Sequence, residues 1–118
     1  MQPTTFHVDD SAHNRDGMVL RACYGDQKVT AFISRRVMDD WASQGRERSL
    51  LREQYNALGK RNLPAIERIV TSKYQRGASF NRQHPFIDVL LADITESGEV
   101  LDISELVRVP LSPGFQRM

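Results

Sequence analysis

The sequence predicts an α+β domain in which two β-hairpins flank a helical middle, one mostly antiparallel sheet being covered by helices on one face. Three observations carry that expectation. Residues 18–34, "MVLRACY", "GDQ" and "KVTAFIS", are two β-rich runs around a Gly-Asp turn. The middle of the chain repeats its apolar residues at helical spacing. From Pro85 the period returns to two, through "FIDVLLADI", "TESG" and "GEVLDISELVRV".

Taken in order, residues 4–8 suit an edge strand, followed by the polar, turn-rich link "DDSAHNRDG". In the first hairpin Met18, Leu20, Ala22 and Tyr24 share one face, and Val29, Ala31 and Ile33 alternate with Thr30 and Phe32. Ser34 is placed to cap a helix over 35–43, in which Val37 and Trp41, and Met38 and Ala42, fall four apart. Gly45 breaks that helix, and Ser49 is a plausible second cap before the stripe Leu50, Leu51, Gln54, Tyr55 and Leu58. Gly59 and Pro64 then predict a break near 60–63, because proline is tolerated in a helix's first turn and costs about 3 kcal/mol in its interior. A fresh helix begins near Pro64, carries Ile66, Ile69, Val70 and Tyr74 on one face, and ends at Gly77. The closing hairpin follows, and the tail "PLSPGFQRM", with two prolines and a glycine, is expected to be irregular. The chain thus divides into an N-terminal strand and link (1–17), one α+β domain (18–109) and a tail (110–118).

A chain of 118 residues with ordinary apolar and charged content fits one globular domain. Cys23 is the only cysteine, so neither an intrachain disulfide nor a Cys-rich zinc site can form. No charged and then apolar segment opens the chain, and no apolar run approaches the ~20 residues needed to span a bilayer. A reducing compartment, the cytoplasm, with no membrane association, is the expectation.

The net charge of +1 conceals a segregated layout. Residues 34–82 hold eleven Lys/Arg against five acids, a local +6, while the remainder holds five against ten, a local −5. In one reading the helices present a cationic surface to phosphates through Arg46, Arg48, Lys60, Arg61, Arg68, Lys73 and Arg76. In the other, helix and strand-end charges answer each other within the fold or across a dimer. The second is favoured, since the apolar stripe through Ile66, Ile69, Val70 and Tyr74 is reason enough for the helix to exist. A helix-turn-helix with a wing fits poorly: the hairpin that would form the wing carries Asp88, Asp93, Glu96, Glu99, Asp102 and Glu105 against Arg108 alone.

Other candidate chemistry is sparse. "HVDDSAH" gathers His7, Asp9, Asp10 and His13, all residue types that bind metals, without a spacing that completes a known site. Cys23 would need a neighbouring cation or base to act as a nucleophile, and His84 is not brought near it by sequence. Trp41 reads as core rather than as a stacking platform. No GxSxG, Walker glycine loop, HExxH or dinucleotide fingerprint is present.

"VLRACYGDQKVTAFIS", Val37 to Trp41, "IERIVTSKY" and "IDVLLADI" together resemble a small proteobacterial family catalogued as domain of unknown function 1488. The resemblance rests on the Ile33-Ser34 step, on Ile66-Glu67 and Lys73-Tyr74 in the later helix, and on Asp93 as the acidic end of a closing strand. It covers residues 18–93 and implies a compact bacterial α+β domain with no assigned catalytic residue. The stretch 45–49 and everything after Thr95 depart from the pattern. The expected function is a non-enzymatic binding or accessory domain without a cofactor, working by self-association or with another protein through the edge of the second hairpin. A nucleic-acid-binding regulator is the alternative, and a metal- or thiol-dependent enzyme a further one.

Overall fold

The computed structural model describes residues 2–11, 16–44, 49–77 and 85–104. Its elements run β1 (Thr5–Val8), β2 (Gly17–Tyr24), β3 (Gln27–Ser34), α1 (Arg35–Ser43), α2 (Arg52–Arg61), α3 (Leu63–Gln75), β4 (Phe86–Val89) and α4 (Leu91–Ser97). They form an α+β fold around one four-stranded sheet in the order β1-β2-β3-β4. The first three strands are antiparallel, and β4 joins β3 in parallel. A parallel neighbour requires a crossover, and α1, α2 and α3 supply it.

Period-two alternation sets which face is dry. Val8, Leu20, Ala31 and Ile87 stand in one row across all four strands, and all four are buried. Met18, Ile33 and Val89 form the next row, each at 0% exposure. Burying each large aliphatic side chain stabilises the fold by about 1.5–3 kcal/mol, so the row positions of β1 and β4 are fixed by the hairpin's own pattern. Residues of α1, α2 and α3 pack on the strands, with Met38, Tyr55, Leu58, Ile66 and Val70 in the same core. The other sheet face carries the row His7, Arg21, Thr30 and Phe86.

The expected edge strand and first hairpin are present, and so are the helices of the middle. Ser34 caps α1, its Oγ accepting from the Val37 N–H at 3.1 Å. Ile66, Ile69 and Val70 of α3 are buried and Tyr74 is half-buried, so the stripe points inward. Gly77 takes a positive φ of 76° directly after the helix.

The break expected near 60–63 is present at Asn62, which alone separates α2 from α3, while Gly59 itself lies within α2. Glycine is needed there for contact: a β-carbon on residue 59 would sit 2.0 Å from Met18 Sδ, inside the packed core. Ser49 is not the cap of α2, whose N-cap is Leu51.

The second hairpin is absent. Its first strand ends at Val89, and "LADITES" is helical, so Asp93 is the third residue of α4 rather than a strand end. Side-chain chemistry explains the switch. The Asp93 carboxylate reaches back to accept the Leu90 N–H at 2.8 Å, capping the helix start, and Gly98 closes it in the left-handed region. Leu90 and Leu91 are exposed and only Ile94 is buried in α4, so the apolar run was never a two-sided buried strand. Residues 99–103 then lie across the helices in neither helix nor strand. The tail over 110–118 lies outside the described residues.

Candidate functional site

Of the proposed cationic surface, Lys60 and Arg61 fall on α2, Arg68 and Lys73 on α3, and Arg76 on the cap that ends α3; Arg46 and Arg48 lie outside the described residues. Each of the five described cations meets a carboxylate of the same chain. Lys60 binds Asp10. Arg61 Nε donates to Asp102 Oδ2 at 3.0 Å. Arg68 makes a fork, Nε and Nη2 each donating at 2.8 Å to a different Glu99 oxygen. Lys73 Nζ donates to Asp93 Oδ2 at 2.7 Å and to the Asp88 carbonyl at 2.8 Å. Arg76 lies 3.8 Å from Asp93 and 3.9 Å from Glu96. Four of the five pairs reach into residues 88–102, so that acidic stretch lies against the cations of α2 and α3.

Protonation follows the pairing. The Arg68 fork holds the Glu99 carboxyl below its ordinary range, and the same bond raises the guanidinium. Burial pushes Asp93 up, but the Lys73 bond, the Leu90 N–H and the charges of Lys73 and Arg76 outweigh it, leaving the carboxyl low. Asp102 is held low by the Ser104 N–H and hydroxyl and then by Arg61. Lys73–Asp93 is the most enclosed of these pairs, with side chains 13% and 12% exposed. Exposed pairs such as Arg68–Glu99 are each worth little.

A cleft of about 380 Å³ opens between α3 and α4, lined among others by Arg68, Ser72, Arg76, Asp93, Glu96 and Glu99. Both signs of charge line it, and its two guanidinia already face carboxylates. A phosphate entering there would have to displace the chain's own acids.

The edge suggested for self-association also changes. Thr30 N–H donates to the Pro85 carbonyl, so in the parallel ladder Pro85, Ile87 and Val89 turn their main chain to β3 while Phe86 and Asp88 turn theirs outward. The outward Asp88 carbonyl is the one that Lys73 takes. A lysine across an edge strand is a device against strand addition.

Among the described residues the remaining candidates do not converge. Asp9 Oδ1 accepts from Ser11 Oγ and N–H, its Oδ2 accepts from Arg21 Nε at 2.9 Å, and these bonds pull its pKa from 3.8 to about 2. Asp10 is turned to Lys60, and His7 is exposed on the sheet row with Arg21. His13 and His84 lie outside the described residues. Among the described residues no group of three His, Cys, Asp or Glu is placed to hold a metal ion. Cys23 is half-buried on the outer sheet face between Thr5 and Lys28. No helix of the described residues is long and apolar enough to cross a membrane.

Three functional-looking groups escaped sequence reasoning. Trp41 Nε1 donates to the Glu99 carbonyl at 3.2 Å, and Gln44 Nε2 to the Leu101 carbonyl at 2.7 Å. The buried Asn62 amide donates to the Asp102 carbonyl at 3.1 Å and accepts the Asp102 N–H at 2.8 Å. Their partners lie 40–58 residues away, and no local pattern announces such a bond. No family model, no curated protein and no solved structure matches this chain, so the geometry alone must carry the functional reading.

Proposed function

We propose that this chain is a non-catalytic binding domain that acts through protein–protein contacts, self-association included, in a reducing compartment such as the cytoplasm. The observation that carries the reading is the engagement of Lys60, Arg61, Arg68, Lys73 and Arg76 by the chain's own carboxylates. Phosphate binding draws its free energy from neutralising phosphates with available cations, and these cations are already occupied. Among the described residues, cations of the basic middle therefore meet acids from the rest of the chain. The resemblance to domain of unknown function 1488 fits a small bacterial domain of this kind and brings no catalytic residue. Asp9 and Asp10 serve Ser11, Arg21 and Lys60, which favours binding over metal chemistry.

Two measurements test the reading. Light scattering after size exclusion should show association at high micromolar concentration, and a clean monomer there removes self-association. A labelled duplex or single strand should show no shift at low salt. A shift that weakens steeply with salt, and is lost when Arg61, Arg68 and Lys73 become Ala, would establish the nucleic-acid alternative instead.

A further inference from the structure

The stretch 99–103 has no ladder of its own, yet four of its main-chain groups and both of its carboxylates are held by side chains from elsewhere. Trp41 and Gln44 take the carbonyls of Glu99 and Leu101, and Asn62 grips both main-chain groups of Asp102. Arg68 forks onto the Glu99 carboxylate and Arg61 meets that of Asp102. Between them Leu101 is 1% exposed and joins the core, while Val100 points outward at 75% exposure. Main-chain bonds independent of sequence, alternating with pockets that read side chains, are how extended peptides are recognised.

The geometry points to a peptide seat formed by α1, the Asn62 elbow and α3, which reads an extended acid–any–leucine–acid segment and is filled in cis by Glu99–Asp102. The seat rests on the protein-contact reading and names the kind of partner that reading lacks. Its occupant is given by the chain itself. Arg68 and Arg61 stand ready for two carboxylates three residues apart, the apolar hole takes one leucine, and the outward position is unread. Gly98, in the left-handed region at φ 74°, ends α4 immediately before the segment and serves as the hinge. Lifting residues 99–103 breaks side-chain bonds and exposes Leu101 and the partly buried Ile103, but opens no strand pair. A partner segment of the same pattern therefore competes with the cis segment for one site.

The test uses the full-length chain with Glu99→Ala, Leu101→Ala and Asp102→Ala together, and the fluorescein-labelled peptide SGEVLDIS, the sequence of residues 97–104. The triple variant should bind the peptide saturably by anisotropy, with a change in the emission of Trp41, the single tryptophan. Wild type, its seat filled, should bind at least about tenfold more weakly, as should the variant with a peptide carrying Leu101→Ser, from the lost burial of one leucine. A folded variant that ignores the peptide overturns the seat. If that variant still associates by light scattering, the protein-contact reading stands without it. Should the variant fail to fold, amide exchange on wild type decides. Exchange of the Asp102 N–H and the Trp41 indole N–H through an opening smaller than global unfolding supports a detachable segment, and exchange only with the β2–β3 core amides overturns it.

Discussion

β2 and β3 face each other over eight consecutive pairs, from Gly17 and Ser34 to Tyr24 and Gln27, whereas residues 85–104 reach the rest of the molecule through four parallel pairs, one short helix and a set of side-chain latches. The first region is held by main-chain bonds and alternating apolar side chains close in sequence. The second is held by individual polar groups whose partners are distant. The same buried leucine should therefore mean different things in the two places. Leu20→Ala, in the β2 row, should cost about 2–5 kcal/mol by urea denaturation, with the whole fold lost cooperatively. Leu101→Ala removes an equally buried side chain, but should fall at or below the lower end of that range because its segment can detach locally. Equal losses would erase the difference between the regions.

A second effect sharpens the description of the hairpin's helical cover. Gly59 approaches Met18 so closely that a methyl group cannot enter without moving a fully buried side chain. Gly59→Ala should improve local helix propensity and still destabilise, by about 1–3 kcal/mol net, through overpacking. Gly59→Ala combined with a shorter residue at Met18, Met18→Ala, should recover part of that loss relative to the sum of the two single changes. A stabilising single change would mean that Met18 moves aside freely and that the close contact does not require glycine.

What was legible in the sequence follows the same division. The first hairpin, the Ser34 cap and the inward stripe of α3 all depend on residues within a few positions of one another, and each was readable from period or spacing. The α4 helix was not, because "FIDVLLADI" is apolar enough to pass for a strand. The deciding events are one carboxylate accepting the Leu90 N–H and one left-handed glycine. The segregation of charge was visible, and pairing was the favoured outcome. Which acid meets which cation was not visible, since Arg68 and Glu99 are 31 residues apart and Arg61 and Asp102 are 41. Asn62 gave no signal at all. A polar residue between two helices looks like a simple connector until the segment it holds is seen.

The third effect probes the latches directly. Lys73 joins α3 to β4 and α4 at once, through the Asp88 carbonyl and the Asp93 carboxylate. Lys73→Ala should cost about 1–2 kcal/mol, less than the core leucine, because the pair retains some contact with water. The change should also free the outward edge of β4. Light scattering on Lys73→Ala should then show more association than wild type if Lys73 protects that edge, and an unchanged mass would reduce it to a simple latch.

Acid should loosen the second region with the smallest effect of all, and the direction follows from the carboxylates. Glu99, Asp93 and Asp102 titrate below their ordinary ranges in the folded chain, and Asp9 falls from 3.8 to about 2. A group whose folded pKa is depressed contributes stability that is fully present above its unfolded value and is lost as pH falls through the folded one. For Asp9 that window runs from about pH 4 down to about pH 2. Between those limits the unfolded chain binds more protons than the folded one, so stability drops with each step of acid. The C-terminal carboxylates act in the same direction, so Trp41 emission and the exchange of the Asp102 N–H should change before the far-ultraviolet signal of the helices and sheet. Asp9→Asn removes one titrating group on the β1–β2 side and should flatten the acid limb of global stability while leaving the early Trp41 change in place. Glu99→Gln should do the reverse. If both variants shift the two signals together, the latched segment and the hairpin unfold as one unit, and the contrast between them is one of bonding but not of stability.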